Sequence, residues 1–196
     1  MQPASDAEWF SLLDQLAAIS PLTLAERALF PRPLRRELPA GAALLRAGER
    51  ATQTAFVTEG GLREYYLLPD GTERAKSFNL PGELAGSLAD LLTGAPSRTW
   101  VVAEVPTVLL VTPWPTYIAL HEQSMGWQRL GRRVAENLYL RKVEREYELL
   151  ALDAEARYRR ALARWPTLEQ VFLQRHIASY LGVTPVHLSR LRKAMR

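Results

Sequence analysis

The chain changes hydrophobic rhythm twice, and each change marks a different kind of element. Residues 6–19 (DAEWFSLLDQLAAI) place Trp9, Leu12, Leu13, Leu16 and Ile19 on one helical face, and Thr23 to Phe30 read as a second short helix after Pro21. Between about Leu34 and Pro113 the texture shifts to short alternating or aromatic-rich runs such as TAFVTEGG, LREYYLLPDGTERAKSFNLPGE and TWVVAEVPTVLLVTP. Glu59-Gly60-Gly61 and Pro69-Asp70-Gly71 supply residues that tolerate positive φ between strand-like flanks, which predicts hairpin turns. Several short strands with tight turns predict a β-sandwich or jelly roll. Within it, Pro81 to Ser97 breaks the pattern: Leu88, Leu91 and Leu92 have helical spacing, bracketed by Gly82, Gly86 and Gly94. A glycine-led short helix between strands either aims backbone N–H groups at an anion or plugs one end of the roll.

From Trp114 the strand pattern stops. Residues 116–151 lack proline and hold only Gly126 and Gly131, which predicts one long amphipathic helix. Trp127, Leu130, Val134 and Leu138, then Val143, Tyr147 and Leu150, form its apolar stripe, too extended for one small roll to cover; a second copy of the helix is the expected partner. Asp153 can cap a further helix, closed by Pro166. The last stretch, QRHIASYLGVTPVHLSRLRKAMR, carries Ile177, Tyr180 and Leu181 at helical spacing, a stop at Gly182, a cap at Thr184 and Pro185 in the first position of a new helix. Val186, Leu188 and Leu191 give that helix a packing side; Thr184, His187, Ser189, Arg190, Arg192 and Lys193 are left facing out. Two short helices about a glycine turn form either a helix-turn-helix or an ordinary packed hairpin.

Charge favours the first reading. Residues 154–196 carry nine Lys or Arg against two acids, a net +7, so residues 1–153 carry −3 of the chain's total +4. Positive charge is concentrated where a duplex would lie. Otherwise the 196 residues, 47% hydrophobic and 23% charged, have the composition of a globular protein of one to two domains. There is no cysteine, which excludes disulfides, iron–sulfur clusters and thiolate zinc sites. His121, His176 and His187 are scattered and are expected at the surface or in grooves rather than as metal ligands. No signal pattern or membrane-length apolar run is present, so a cytoplasmic location without membrane contact is expected.

In this order the parts resemble the Crp/Fnr family of bacterial transcription regulators, most specifically through IASYLGVTPVHLSRLRK, and through GELAGS with the later PSRT. The resemblance implies an α+β fold: an N-terminal β-roll or jelly-roll sensor domain of the cyclic-nucleotide-binding type with flanking helices (1–113), a long dimerisation helix (114–150), and a C-terminal winged-helix-like helix-turn-helix domain (151–196). It implies no enzyme but a homodimer that reads an inverted repeat in double-stranded DNA, with RNA polymerase as a further partner. Thr184, Pro185, Val186, His187, Ser189 and Arg190 fall on the family's recognition-helix positions, with Arg190 expected to read a guanine and Arg192 and Lys193 to hold phosphates. Trp127, Leu130, Val134 and Leu138 are expected in the dimer interface.

The resemblance also implies a ligand site, formed by Gly82, Glu83, Leu84, Arg98 and Thr99, for cyclic AMP or another cyclic nucleotide; the glutamate would hold the ribose and the arginine the phosphate. The spacing departs from the family's. Glu83 and Arg98 stand 15 residues apart, where the family's motif has roughly ten. Either the extra turn bulges and Arg98 still reaches the phosphate, or it lengthens the short helix and Leu88, Leu91 or Leu92 fills the pocket. Two other functions compete: a cupin-like enzyme, weakened because no histidine lies between Leu34 and Pro113, and a nucleotide-binding module whose C-terminal helices contact a protein.

Overall fold

The computed structural model describes residues 1–195. A two-residue strand β1 (Gln2–Pro3) leads into α1 (Asp6–Ile19), which begins at a reciprocal cap. The Ser5 hydroxyl accepts from the Glu8 amide, and the Glu8 carboxylate accepts from the Ser5 amide at 2.7 Å. Thr23 and Glu26 repeat the device at α2 (Leu24–Ala28). Eight strands follow: β2 (Leu34–Leu38), β3 (Ala43–Leu45), β4 (Gln53–Glu59), β5 (Leu62–Leu67), β6 (Glu73–Asn79), β7 (Leu84–Ala85), β8 (Trp100–Ala103) and β9 (Thr107–Pro113), with helix α3 (Leu88–Thr93) between β7 and β8.

Every pairing is antiparallel, in two sheets ordered β1-β2-β9-β4-β7 and β3-β8-β5-β6. Both expected hairpin turns form. Gly60 and Gly71 each have φ +81°, and a side chain on Gly60 would strike the backbone of Pro106.

The pleat sends alternate residues of β4 and β9 to opposite sides. Ala55, Val57, Leu109 and Val111 face into the roll, where they pack with Leu45, Leu62 and Val101. Phe56 and Leu110 face outward against Leu12, Leu13 and Leu16 of α1 and against Trp127 and Leu130. The central strands β4 and β9 are thus buried on both sides, with the acidic helix α1 as part of the outer cover.

After the roll, Ser124 divides the expected single long helix into α4 (Trp114–Gln123) and α5 (Met125–Ala151). Its extended backbone ends the first, and its hydroxyl accepts from the Gly126 amide at 3.1 Å and the Trp127 amide, capping the second. Four further helices follow, α6 (Ala154–Arg164), α7 (Leu168–Val171), α8 (Gln174–Leu181) and α9 (Pro185–Ala194). Asp153 caps α6 as its sequence suggests, accepting from the Ala156 amide at 2.8 Å. Among the described residues this C-terminal unit contains no strand, so no wing accompanies its helices.

The C-terminal unit shares a core with the roll. Phe78 of β6 lies 4.3 Å, centroid to centroid, from Phe172 and near 5.5 Å from Trp165 and Tyr180. The Ser179 hydroxyl accepts from the Ala75 amide and donates to the Glu73 carbonyl, both at 3.0 Å.

Candidate nucleic-acid interface and ligand pocket

The turn between α8 and α9 is built as its residue types require. Gly182 takes φ +70°, while the Val183 amide returns to the Ala178 carbonyl at 3.0 Å. Thr184 then accepts from the His187 amide at 3.2 Å, and Gln174 donates to the Pro185 carbonyl at 2.9 Å, tying the start of one helix to the start of the next. Leu188, fully buried, anchors α9 against α8 with help from half-buried Leu191.

That anchoring decides which side faces out. Thr184, Pro185, Val186, His187, Ser189, Arg190 and Lys193 are all exposed. Val186 was expected to pack as well as to recognise; at 61% exposure it belongs to the outer face. Arg190 makes no ion pair among the described residues, so its guanidinium is available to a ligand. Arg192 is not equivalent: it is half-buried and paired with Glu169, which also accepts from the Tyr158 hydroxyl. A phosphate would have to draw Arg192 out of that pair.

The residues expected around a nucleotide are placed differently from one another. The Glu83 carboxylate, 16% exposed, accepts from the Leu80 amide at 2.9 Å and from the Trp165 indole N–H at 3.0 Å, and pairs with Arg141 at 3.2 Å. It therefore fastens the roll to α5 and to the end of α6. Arg98 is exposed and Gly82 lies on an exposed turn, whereas Thr99 is buried with its amide donating to the Ser97 hydroxyl at 3.1 Å. Leu84 faces the outer side of the sheet. Between Glu83 and Arg98 the chain forms α3, from which Leu88 and Leu91 point to that outer side and Leu92 to solvent.

Two of the four residues expected to meet a second copy are in the chain's own core. Trp127 and Leu130 are completely buried, Trp127 stacking on Phe30 at 5.1 Å and donating to the Glu26 carbonyl at 2.9 Å. Val134 and Leu138 are half-buried. The uncovered part of the stripe lies further along α5, at Val143, Tyr147 and Leu150; Leu140, which the stripe did not include, is exposed as well, and the four are spaced three, four and three residues apart.

His176 is also not a surface residue. It sits buried between α8 and the roll, with Nδ1 2.6 Å from the Glu104 carboxylate, which accepts from Arg63 Nε at 3.1 Å; Arg63 also pairs with Glu73 at 2.7 Å. On its other side, His176 Nε2 lies 3.1 Å from Arg175 Nε. The one trace of this cluster in the sequence is the charged pair Arg63-Glu64 inside a strand-like run, and the burial of Arg63 shows only in the fold. Its partners are distant in sequence, so nothing local named them.

Comparison with known proteins follows the same division. Residues 35–124 match the family model of the cyclic nucleotide-binding domain. The chain resembles the solved structure of FixK2 from Bradyrhizobium japonicum at 20% identity and a TM-score of 0.71, covering 84% of this chain and 85% of that one. It is similar to the Catabolite Activator Protein of Thermus thermophilus at 26% identity and a TM-score of 0.57, over 92% and 86% of the respective chains. The c-di-GMP responsive global regulator CLP of Xanthomonas campestris shares the fold at 15% identity and a TM-score of 0.63, over 95% and 91%. No curated protein matches the chain by sequence.

Proposed function

Since this chain belongs to the Crp/Fnr family of transcription regulators, we propose that it acts as a homodimer binding an inverted repeat in double-stranded DNA through α9. The observation that carries this reading is the exposed face of α9, with unpaired Arg190 one turn beyond the Thr184–His187 cap and Leu188 locking the opposite side inward. A guanidinium so presented can donate two bonds to guanine O6 and N7 in a major groove. The exposed heptad-like row Leu140, Val143, Tyr147 and Leu150 supplies the seam with a second copy, in place of Trp127 and Leu130. Two copies joined there present two recognition helices to successive half-sites.

The roll gives this regulator its control. A nucleotide whose ribose takes Glu83 competes with the Trp165 indole and Arg141 for the same carboxylate, so binding it loosens the C-terminal unit from the roll. Replacing Trp165 with Phe removes the competing N–H; calorimetry should then show tighter binding of cyclic AMP or cyclic GMP than the unmodified chain shows. Equal affinity in both proteins would separate Glu83 from the nucleotide. DNA binding itself is tested by salt: the logarithm of affinity for duplex falls steeply and linearly with the logarithm of salt concentration as counterions are released. A flat response would assign the C-terminal helices to a protein partner instead.

A further inference from the structure

We infer that the roll itself touches the duplex, with Arg74 of β6 and Arg157 of α6 clamping a backbone phosphate beside the start of α9. This rests on the DNA-binding reading above and adds a residue of the sensor domain to it. Arg74, Arg157 and His187 line one open groove whose floor is the turn from Gly182 to Thr184, and no acid lines it. Arg74 is exposed and, like Arg157, makes no ion pair among the described residues. Asp70, at the tip of the same hairpin, is committed to the Thr72 amide at 2.9 Å. Arg157 gives one N–H to the Leu152 carbonyl at 3.1 Å, and its Nε is buried without an acceptor among the described residues.

Two guanidinium charges without a counter-ion, beside the positive end of a helix, call for an anion. Position identifies which. Thr184 and His187 also line the neighbouring groove that holds Val186 and Arg190, the base-reading side of α9. An anion next to the bases is a phosphate of the same duplex. A free nucleotide would need cover for its base, and this open groove offers only Ala154 and Val183 for that. The placement of Arg74 is fixed from the C-terminal unit. Ser179 of α8 accepts from the Ala75 amide and donates to the Glu73 carbonyl, both at 3.0 Å, so the backbone on either side of Arg74 is tied to the helix that precedes α9. The groove therefore exists only while the C-terminal unit is docked on the roll, and a duplex bound there holds the two together.

The test measures the affinity of the full chain for two duplexes of unrelated sequence across a salt series, with Arg74→Ala, Arg74→Lys and Arg50→Ala beside the unmodified chain. Each phosphate contact contributes about 0.9 to the slope of log affinity on log salt, so losing Arg74 from both copies of a dimer should lower the slope by roughly 2. The loss should be the same on both duplexes, as for a contact that reads no base. Arg74→Lys keeps the charge and should keep the slope. Arg50→Ala removes an exposed arginine of the roll that lies outside the groove, and should leave the slope unchanged. Arg74 is exposed on the edge strand of its sheet, so an unaltered Tm is expected; if alanine disturbs the strand, Arg74→Gln takes its place. A slope unchanged by Arg74→Ala, lowered as much by Arg50→Ala or by Arg74→Lys, or changed on one duplex only, would overturn the clamp and leave α9 on the DNA. An unmodified chain with no salt-dependent affinity for duplex would overturn the DNA-binding reading and the clamp together.

Discussion

Replacing Glu104 with alanine tests how the C-terminal unit is held on the roll. The Glu104 side chain is 7% exposed and satisfies Arg63, itself 6% exposed, on one oxygen and His176 of α8 on the other. Removing one member of a buried ion pair costs roughly 3–5 kcal/mol, because the charge left behind has lost its counter-charge. Arg63 here keeps Glu73 at 2.7 Å, and Glu73 is partly exposed, so the lower end applies: about 3 kcal/mol. For a chain of this length that corresponds to a Tm lowered by roughly 6–12 °C. Glu104→Gln keeps an acceptor for His176 but not the charge facing Arg63, and should fall between.

Acid gives an independent check on the same group. Burial alone would raise the Glu104 pKa, but hydrogen bonding and charge from His176 and then Arg63 outweigh it and hold the carboxyl below its usual range. A carboxyl depressed in the folded state contributes stability that is present above its unfolded pKa of about 4.5 and lost as pH falls through the folded value. The gap in urea stability between the unmodified chain and Glu104→Ala should therefore be full near neutrality and narrow below about pH 4. A loss smaller than about 1 kcal/mol at neutral pH, or a gap that does not change on acidification, would refute the latch.

Introducing glutamate at both Val143 and Tyr147 should produce monomers in sedimentation equilibrium with little loss of fold, since both are exposed on α5; a persisting dimer would move the interface elsewhere. Leu130→Ala should instead cost about 2–5 kcal/mol of stability and leave assembly intact, because Leu130 fills the chain's own core. Leu188→Ala should destabilise the C-terminal unit by a similar ~2–5 kcal/mol in chemical denaturation followed by Trp165 fluorescence. Thr184→Ala should cost only the ~1 kcal/mol of a lost helix cap.

What could be read from the sequence was whatever a few adjacent residues decide. The Gly182 stop, the Thr184 cap with Pro185 behind it, the Asp153 cap and the turns at Gly60 and Gly71 each follow from the φ range or hydrogen bond that one residue type permits. The stripe on α5 was legible as a stripe, but its periodicity cannot tell a cover of one's own sheet from a seam with a second copy. Trp127 and Leu130 fell to the first use, and Val143, Tyr147 and Leu150 are left exposed. Ser124 was hidden for a related reason: a polar residue on an amphipathic helix and one that caps it look alike until the backbone turns extended.

The ligand site departed furthest. Glu83 and Trp165 are 82 positions apart, and a motif that places a carboxylate in a pocket is silent about an indole arriving from another domain. Likewise His176 looked like a solitary histidine because Glu104 and Arg63 reach it only through the docking of α8 on β6.

Selection of bound duplexes from a random-sequence pool, run in parallel with the unmodified chain and with Arg190→Ala, bears most directly on the regulator reading. The unmodified chain should enrich a two-fold symmetric site with half-sites about one helical turn apart, and Arg190→Ala should lose preference at one symmetric pair of positions, at a cost of ~1–3 kcal/mol for each half-site. No enriched sequence with the unmodified chain, or an identical site with Arg190→Ala, would contradict the assignment of α9 and Arg190 to the groove.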